Sequence, residues 1–217
     1  MKPNQNPTTA TTATTATAAK AATPLQGVAL YGGSFDPVHC AHLKVAHAAL
    51  QQLDLSKVIF VPAAQSPLKT TAAHASDADR IEMLRLATAA EPRFAVDISE
   101  IERGGTSYTV DTVHFFRQQL PASPLYWILG ADQFELLPQW RQIEEIAAQL
   151  TFIVLRRPGY CFAAPPITGL RFEAVDAPLM AHSSSEIRRR VAAGALGLAQ
   201  LPPSVEAFIS SRGLYTQ

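Results

Sequence analysis

A chain of 217 residues with 47% hydrophobic side chains has enough apolar volume for one domain with a sizeable core. Lys plus Arg is 18 and Asp plus Glu is 18, so the formal net charge is zero, which argues against a large nucleic-acid surface. The two cysteines, Cys40 and Cys161, stand far apart and outside any CxxC pair, which excludes a disulfide scaffold and a structural zinc site.

Residues 1–23 are dominated by a Thr/Ala repeat, Thr8-Thr9-Ala10-Thr11-Thr12-Ala13-Thr14-Thr15-Ala16. Such a stretch has almost nothing to bury against the entropy of ordering, and it is predicted to be a disordered tail. It has neither the Leu-rich centre of a secretory signal nor the arginines of a transit peptide. No apolar run approaches bilayer length. A cytoplasmic protein without a membrane partner is therefore expected, folded as a single domain over residues 24–217.

The first predicted strand is Val28-Ala29-Leu30-Tyr31, which runs into Gly32-Gly33. Leu43, Val45, Ala46, Ala49, Leu50 and Leu53 follow with helical spacing. Val58-Ile59-Phe60-Val61 is a second strand, stopped by Pro62. Asp77 to Ala90 reads as a helix, with Pro92 beyond its end. Phe94 to Ile98 alternates like a strand, and Thr109 to Leu120 is helical. Leu125 to Gly130 is a strand, Ile143 to Leu150 a helix, and Phe152 to Leu155 a strand. Strands alternate with helices, and several are apolar on both faces. That combination predicts an α/β fold: a doubly wound parallel sheet covered by helices on both sides. Such sheets bind ligands at the carboxyl ends of strands, where Gly32-Gly33 falls.

Two glycines after a strand allow close approach of a phosphate to the backbone. The helix that follows offers N–H groups and a positive dipole end. If that helix begins near Pro37 or Val38, His39 and His42 share a face. Two imidazoles there can donate to phosphate oxygens and stabilise developing negative charge. Each piece alone has a plain reading: a glycine pair makes a turn, and a histidine pair often sits on a surface. A metal site built on His39, Cys40 and His42 lacks a fourth ligand, and adjacent residues diverge around a helix. Ser183 or Ser184 can cap a helix with Glu186 in its first turn, a pattern that alone means only a capped helix.

Together these segments carry a resemblance. Gly32-Gly33-Ser34-Phe35-Asp36-Pro37-Val38-His39-Cys40-Ala41-His42 resembles the GG(T/S)FDPxHxGH motif of the nucleotidyltransferase superfamily, with Ala41 where Gly is usual. His182-Ser183-Ser184-Ser185-Glu186-Ile187-Arg188 resembles its ISSTxIR motif, with His182 where Ile is common. Further segments appear in order: Val61 to Lys69, Arg80 with Met83-Leu84, Gly105 to Thr109, Gly130-Ala131-Asp132, Leu137 to Trp140, Arg156 to Gly159 and Gly213-Leu214-Tyr215. From Leu25 onward the chain is similar to the bacterial nicotinate-nucleotide adenylyltransferase family.

The resemblance implies a Rossmann-like nucleotidyltransferase fold with a short helical C-terminal part. It implies joining ATP to nicotinate mononucleotide, giving nicotinate adenine dinucleotide and pyrophosphate in NAD biosynthesis. Mg²⁺ is expected to arrive with ATP, and no protein metal site is expected. ATP is expected at Gly32, Gly33, Ser34, Phe35, His39, His42, Asp132, Ser183, Ser184, Ser185 and Arg188. Of these, His39, His42 and Arg188 are the expected catalytic residues. The mononucleotide is expected at Lys69, Tyr108, Thr109, Trp140, Arg141 and Arg157. Tyr108 and Thr109 would offer backbone amides to the nicotinate carboxylate, and Trp140 would stack on its ring. Arg141 stands where family members often have Tyr, a position from which a guanidinium can favour nicotinate over the neutral amide.

Overall fold

The structure is a computed structural model that describes residues 26–67, 72–156, 163–176, 183–195 and 197–216. Six strands make one sheet: β1 (Val28–Gly33), β2 (Lys57–Pro62), β3 (Phe94–Val96), β4 (Leu125–Gly130), β5 (Thr151–Arg156) and β6 (Phe172–Asp176). The helices are α1 (Cys40–Gln52), α2 (Asp77–Thr88), α3 (Ser99–Arg103), α4 (Thr109–Gln119), α5 (Ala131–Glu135), α6 (Ile143–Gln149), α7 (Ser184–Ala192) and α8 (Pro203–Arg212). The strand order is β3-β2-β1-β4-β5-β6, and every pairing is parallel. That order reverses direction between β1 and β4, which is the switch point of a doubly wound sheet.

Side-chain alternation along the strands divides the core in two. Ala29, Val58, Phe60, Ile128 and Ile153 face one side, under Ala46 and Leu50 of α1, Met83 and Leu84 of α2, Ile187 of α7 and Val205 of α8. Val28, Leu30, Ile59, Val61, Leu129 and Val154 face the other, under Val110 and Val113 of α4, Phe134 of α5 and Ile146 of α6. Both faces are covered by apolar side chains, which is why the central strands read as continuous apolar runs.

The pairing of β1 with β4 stops early. Val28, Ala29 and Leu30 align with Leu125, Tyr126 and Trp127, and the last residues of both strands are unpaired with each other. On its other side β1 stays in register with β2 as far as Gly33 opposite Pro62. The sheet therefore splits at its carboxyl edge between β1 and β4, and the split opens a crevice.

Arg80 ties the rim of that crevice together. Its side chain is fully buried, and the guanidinium donates to the Ser34 carbonyl (2.8 Å), the Ala63 carbonyl (2.8 Å) and the Asp77 carboxylate (2.6 Å). One cation thus joins the exits of β1 and β2 to the first turn of α2.

Several boundaries differ from expectation. The strand at Phe94 ends at Val96, because Asp97 turns the chain: its carboxylate accepts from the Ser99 N–H and starts α3. Strand β6 was not anticipated. It is the sheet edge, Phe172 is 37% exposed and Glu173 is exposed, so it lacks the apolar signature of its neighbours. Helix α1 starts at Cys40 and not near Pro37 or Val38, with His39 as its extended N-cap. The tail expected over residues 1–23 lies outside the described residues.

Arg80→Met keeps the stem and removes the charge. Leaving the Ser34 and Ala63 carbonyls without their donor is expected to cost about 2–5 kcal/mol, read from a fall in the urea midpoint. An unchanged midpoint would contradict the tie.

Candidate active site

The split between β1 and β4 opens into a cleft of about 880 Å³. Gly32, Gly33, Ser34, Phe35, His39, His42, Asp132, Ser183, Ser184, Ser185 and Arg188 all line it. So do Tyr108, Thr109, Trp140 and Arg141. Lys69 and Arg157 lie outside the described residues. Two motifs about 150 positions apart in sequence and the mid-chain segments therefore meet in one cleft, of a size suited to small ligands.

The histidines are organised by the start of α1. His39 is buried, and its ring stacks on that of His42 with centroids 3.8 Å apart and planes 26° from parallel. The backbone N–H of His39 donates to Nδ1 of His42 at 3.2 Å. An accepting Nδ1 puts the proton of a neutral His42 ring on Nε2. Phe35, itself buried, holds His42 edge-on at 5.0 Å. Phe35 thus reaches the cleft through backbone and packing, its ring being part of the core. The rings share a face as expected, although the helix starts later: a cap residue and the third helical residue lie one above the other.

The glycines have a more particular reason than phosphate approach. A Cβ on Gly32 would stand 2.6 Å from Cζ2 of Trp127, and one on Gly33 would meet the Phe35 ring at 3.1 Å. The bare backbone of β1 is what lets these two aromatic rings lie across the strand exit. At Gly130 a Cβ would meet Oδ1 of Asp132 at 2.6 Å, so that glycine makes room for the carboxylate at the start of α5.

On the opposite lip, Ser183 caps α7 by accepting from the Glu186 N–H at 3.2 Å. The Ser184 hydroxyl donates to the Pro37 carbonyl at 3.0 Å. Arg188 donates through Nη1 to the Asp36 carbonyl at 2.6 Å and through Nη2 to the Ser185 hydroxyl at 3.2 Å. Arg189 pairs with Glu186 and Arg190 lies in the last helical turn, so Arg188 is the arginine of this run that lines the cleft.

Asp36, absent from the expected site list, turns out to be the hub. Its carboxylate is 4% exposed and accepts from the His74 N–H (2.7 Å), the Ala75 N–H (3.1 Å) and the Tyr215 hydroxyl (2.7 Å), with Nη1 of Arg188 at 3.7 Å. Burial, and then the Asp36 carboxylate, push the Tyr215 hydroxyl up, which keeps it a donor. A motif position matching the superfamily was the available signal; its burial was not readable from sequence.

At the other end of the cleft, Tyr108 precedes α4 as its N-cap and Thr109 opens the helix. The Arg141 guanidinium lies 4.8 Å over the Tyr108 ring. Trp140 meets Trp127 and Phe152 edge-on, at 6.2 and 6.3 Å. Beneath this end sit Glu100 and Ser107, two further lining residues that sequence reasoning missed. Cys40 is half-buried, and burial pushes its thiol up, the opposite of an activated nucleophile. Among the described residues no three His, Cys, Asp or Glu side chains group to hold a metal ion, and no helix is long and apolar enough to cross a membrane.

The cytidylyltransferase-like family matches residues 30–190 of the chain. A protein of Opitutus terrae named "Probable nicotinate-nucleotide adenylyltransferase" is 47% identical over 165 residues, covering 76% of this chain and 85% of its own length. A Bordetella pertussis protein of the same name is 42% identical over 200 residues, covering 87% of this chain and 97% of its own. A solved Plasmodium falciparum nicotinic acid mononucleotide adenylyltransferase complexed with APC has a similar fold, with TM-score 0.68 at 17% identity over 88% of this chain and 98% of that one.

Tyr215→Phe removes one donor from the buried Asp36 carboxylate. Hydrogen bonds to charged groups contribute about 1.5–3 kcal/mol, and urea unfolding should show a loss of that order. A variant as stable as the parent would mean that the Tyr215 contact contributes nothing.

Proposed function

We propose the function that follows from one premise: the chain belongs to the cytidylyltransferase-like family, among the nicotinate-nucleotide adenylyltransferases. It is an adenylyltransferase of NAD biosynthesis that joins ATP and nicotinate mononucleotide into nicotinate adenine dinucleotide, releasing pyrophosphate. The observation that carries this reading is the meeting, in one cleft at the switch point, of the stacked His39–His42 pair with the capped helix that bears Arg188.

The mononucleotide's phosphate oxygen attacks the α-phosphorus of ATP in line. A P–O bond forms there as the bond to the β-phosphate oxygen breaks. The attacking phosphate is already ionised at neutral pH, so the protein supplies no base and no covalent intermediate. Its contribution is positioning and charge neutralisation. His42 directs its Nε2–H at the α-phosphate, where charge develops, and His39 beside it serves the α- and β-phosphates. The N-terminal turn of α7 and Arg188 hold the leaving pyrophosphate. Arg188 is aimed in advance by the Asp36 carbonyl and the Ser185 hydroxyl, so little order has to be created on binding. Asp132, at the exit of β4, belongs to the ATP side.

Mg²⁺ carried by ATP would be held by phosphate oxygens and water, with no protein cage needed, and would supply neutralisation of the triphosphate charge. The acceptor's pyridine ring lies at the Tyr108–Trp140 end, with the first turn of α4 toward its carboxylate. Lys69 and Arg157 serve the mononucleotide. The enzyme works in the cytoplasm.

His42→Ala should lower kcat by about 10²- to 10³-fold in a pyrophosphate-release assay, with an unchanged circular dichroism spectrum. Turnover near the parental rate in a folded variant would remove His42 from catalysis. Arg141→Ala should narrow the preference in kcat/KM for nicotinate over nicotinamide mononucleotide. An unchanged ratio would remove Arg141 from acceptor choice.

A further inference from the structure

Glu100 is a buried acid that the reaction as derived does not use. Only 3% of it is exposed, yet it borders the acceptor end of the cleft. Its carboxyl group is held by two hydroxyls from different segments. Thr112 of α4, fully buried, donates to Oε1. Ser107 bonds to it as well. The Ser107 oxygen also accepts from the Ala64 N–H at 2.9 Å. The Ser107 backbone N–H in turn donates to the Gln65 carbonyl at 2.8 Å. Two stretches of chain thus meet on one carboxyl group, the turn before α4 and α4 itself, and Ser107 ties that turn to the exit of β2. The turn so fixed carries Tyr108 and Thr109.

We infer that Glu100 is the positioning residue of the acceptor pocket: it fixes the Ser107–Thr109 turn against α4. The inference rests on the acceptor assignment made above. An ionised carboxylate under the pocket repels a nicotinate carboxylate in a medium that screens poorly. Burial pushes the Glu100 carboxyl up; Thr112, Ser107 and Arg103 pull it down, and Asp97 pushes it up further. These are the groups that face it, and across the mouth of the pocket stands Arg141 over Tyr108. The sign follows. An anionic acceptor binds best below the pH at which Glu100 ionises, and its KM rises as pH climbs through that point.

The test uses the full chain with saturating ATP and varied nicotinate mononucleotide, from about pH 5 to about pH 9. The parent is compared with Glu100→Gln and Glu100→Ala, both checked by thermal melting. Parent KM for the mononucleotide should rise with pH relative to that of Glu100→Gln, whose remaining slope carries the substrate phosphate and the cleft histidines that both proteins share. Glu100→Ala should raise that KM by about tenfold while kcat and the KM for ATP stay within about threefold. If Glu100→Ala does not fold, the pH comparison with Glu100→Gln decides. Parallel pH profiles of parent and Glu100→Gln would overturn the inference, as would equal rises in both KM values. A parent inactive with nicotinate mononucleotide would instead overturn the acceptor assignment, and the inference with it.

Discussion

The carboxylate of Asp36 is buried among donors that come from far along the chain. His74, Arg188 and Tyr215 are 38, 152 and 179 positions away. An ion buried without partners costs several kcal/mol, so folding cannot leave this one unmatched. Matching it fixes much else. The Ser34–Pro37 turn is held against the rim, Arg188 is drawn to the same side as the histidines, and the C-terminal segment is latched over α2, where Arg212 meets Asp79 at 3.2 Å. Arg80 acts as the complementary cation at the start of the same turn, binding the exits of β1 and β2. The two buried charges face opposite ends of the same turn. Between them they convert a flexible strand exit into a rigid platform.

That platform sits where the sheet divides. Parallel pairing of β1 with β4 ends at Leu30 and Trp127, and the space beyond is shared by aromatic rings instead of backbone bonds. Trp127 fills the place that a side chain on Gly32 would take, and Phe35 does the same over Gly33. The histidine rings then stack on each other beside the buried Phe35 ring. A site that transfers a phosphoryl-linked group by positioning alone needs this kind of preorganisation, because no covalent step compensates for loose geometry.

The sequence announced the central sheet because its strands are apolar on both faces, and it announced α1, α2, α4 and α6 because their apolar spacing is regular. It did not announce β6, an edge strand with an exposed Phe172 and Glu173, or α3, whose five residues are too few for a period. The same division holds for the site. Gly32, His39, His42, Ser183 and Arg188 stood out because they cluster in two short motifs. Asp36 lay inside one of those motifs, yet its role is set by partners beyond local reading. Glu100 lay in Ser99-Glu100-Ile101-Glu102-Arg103, where an acid reads as a solvated helix face. Its burial depends on Ser107 and Thr112 closing over it, a tertiary fact. Local pattern thus revealed which chemistry is present, and long-range contacts determined how it is held.

The central claim is that this cleft transfers an adenylyl group to a pyridine mononucleotide. Phosphorus NMR of the purified chain with ATP, Mg²⁺ and nicotinate mononucleotide tests it directly. The account predicts that dinucleotide and pyrophosphate signals grow together in equal amounts as both substrates decline. Appearance of ADP with inorganic phosphate, or loss of ATP without a dinucleotide signal, would contradict it.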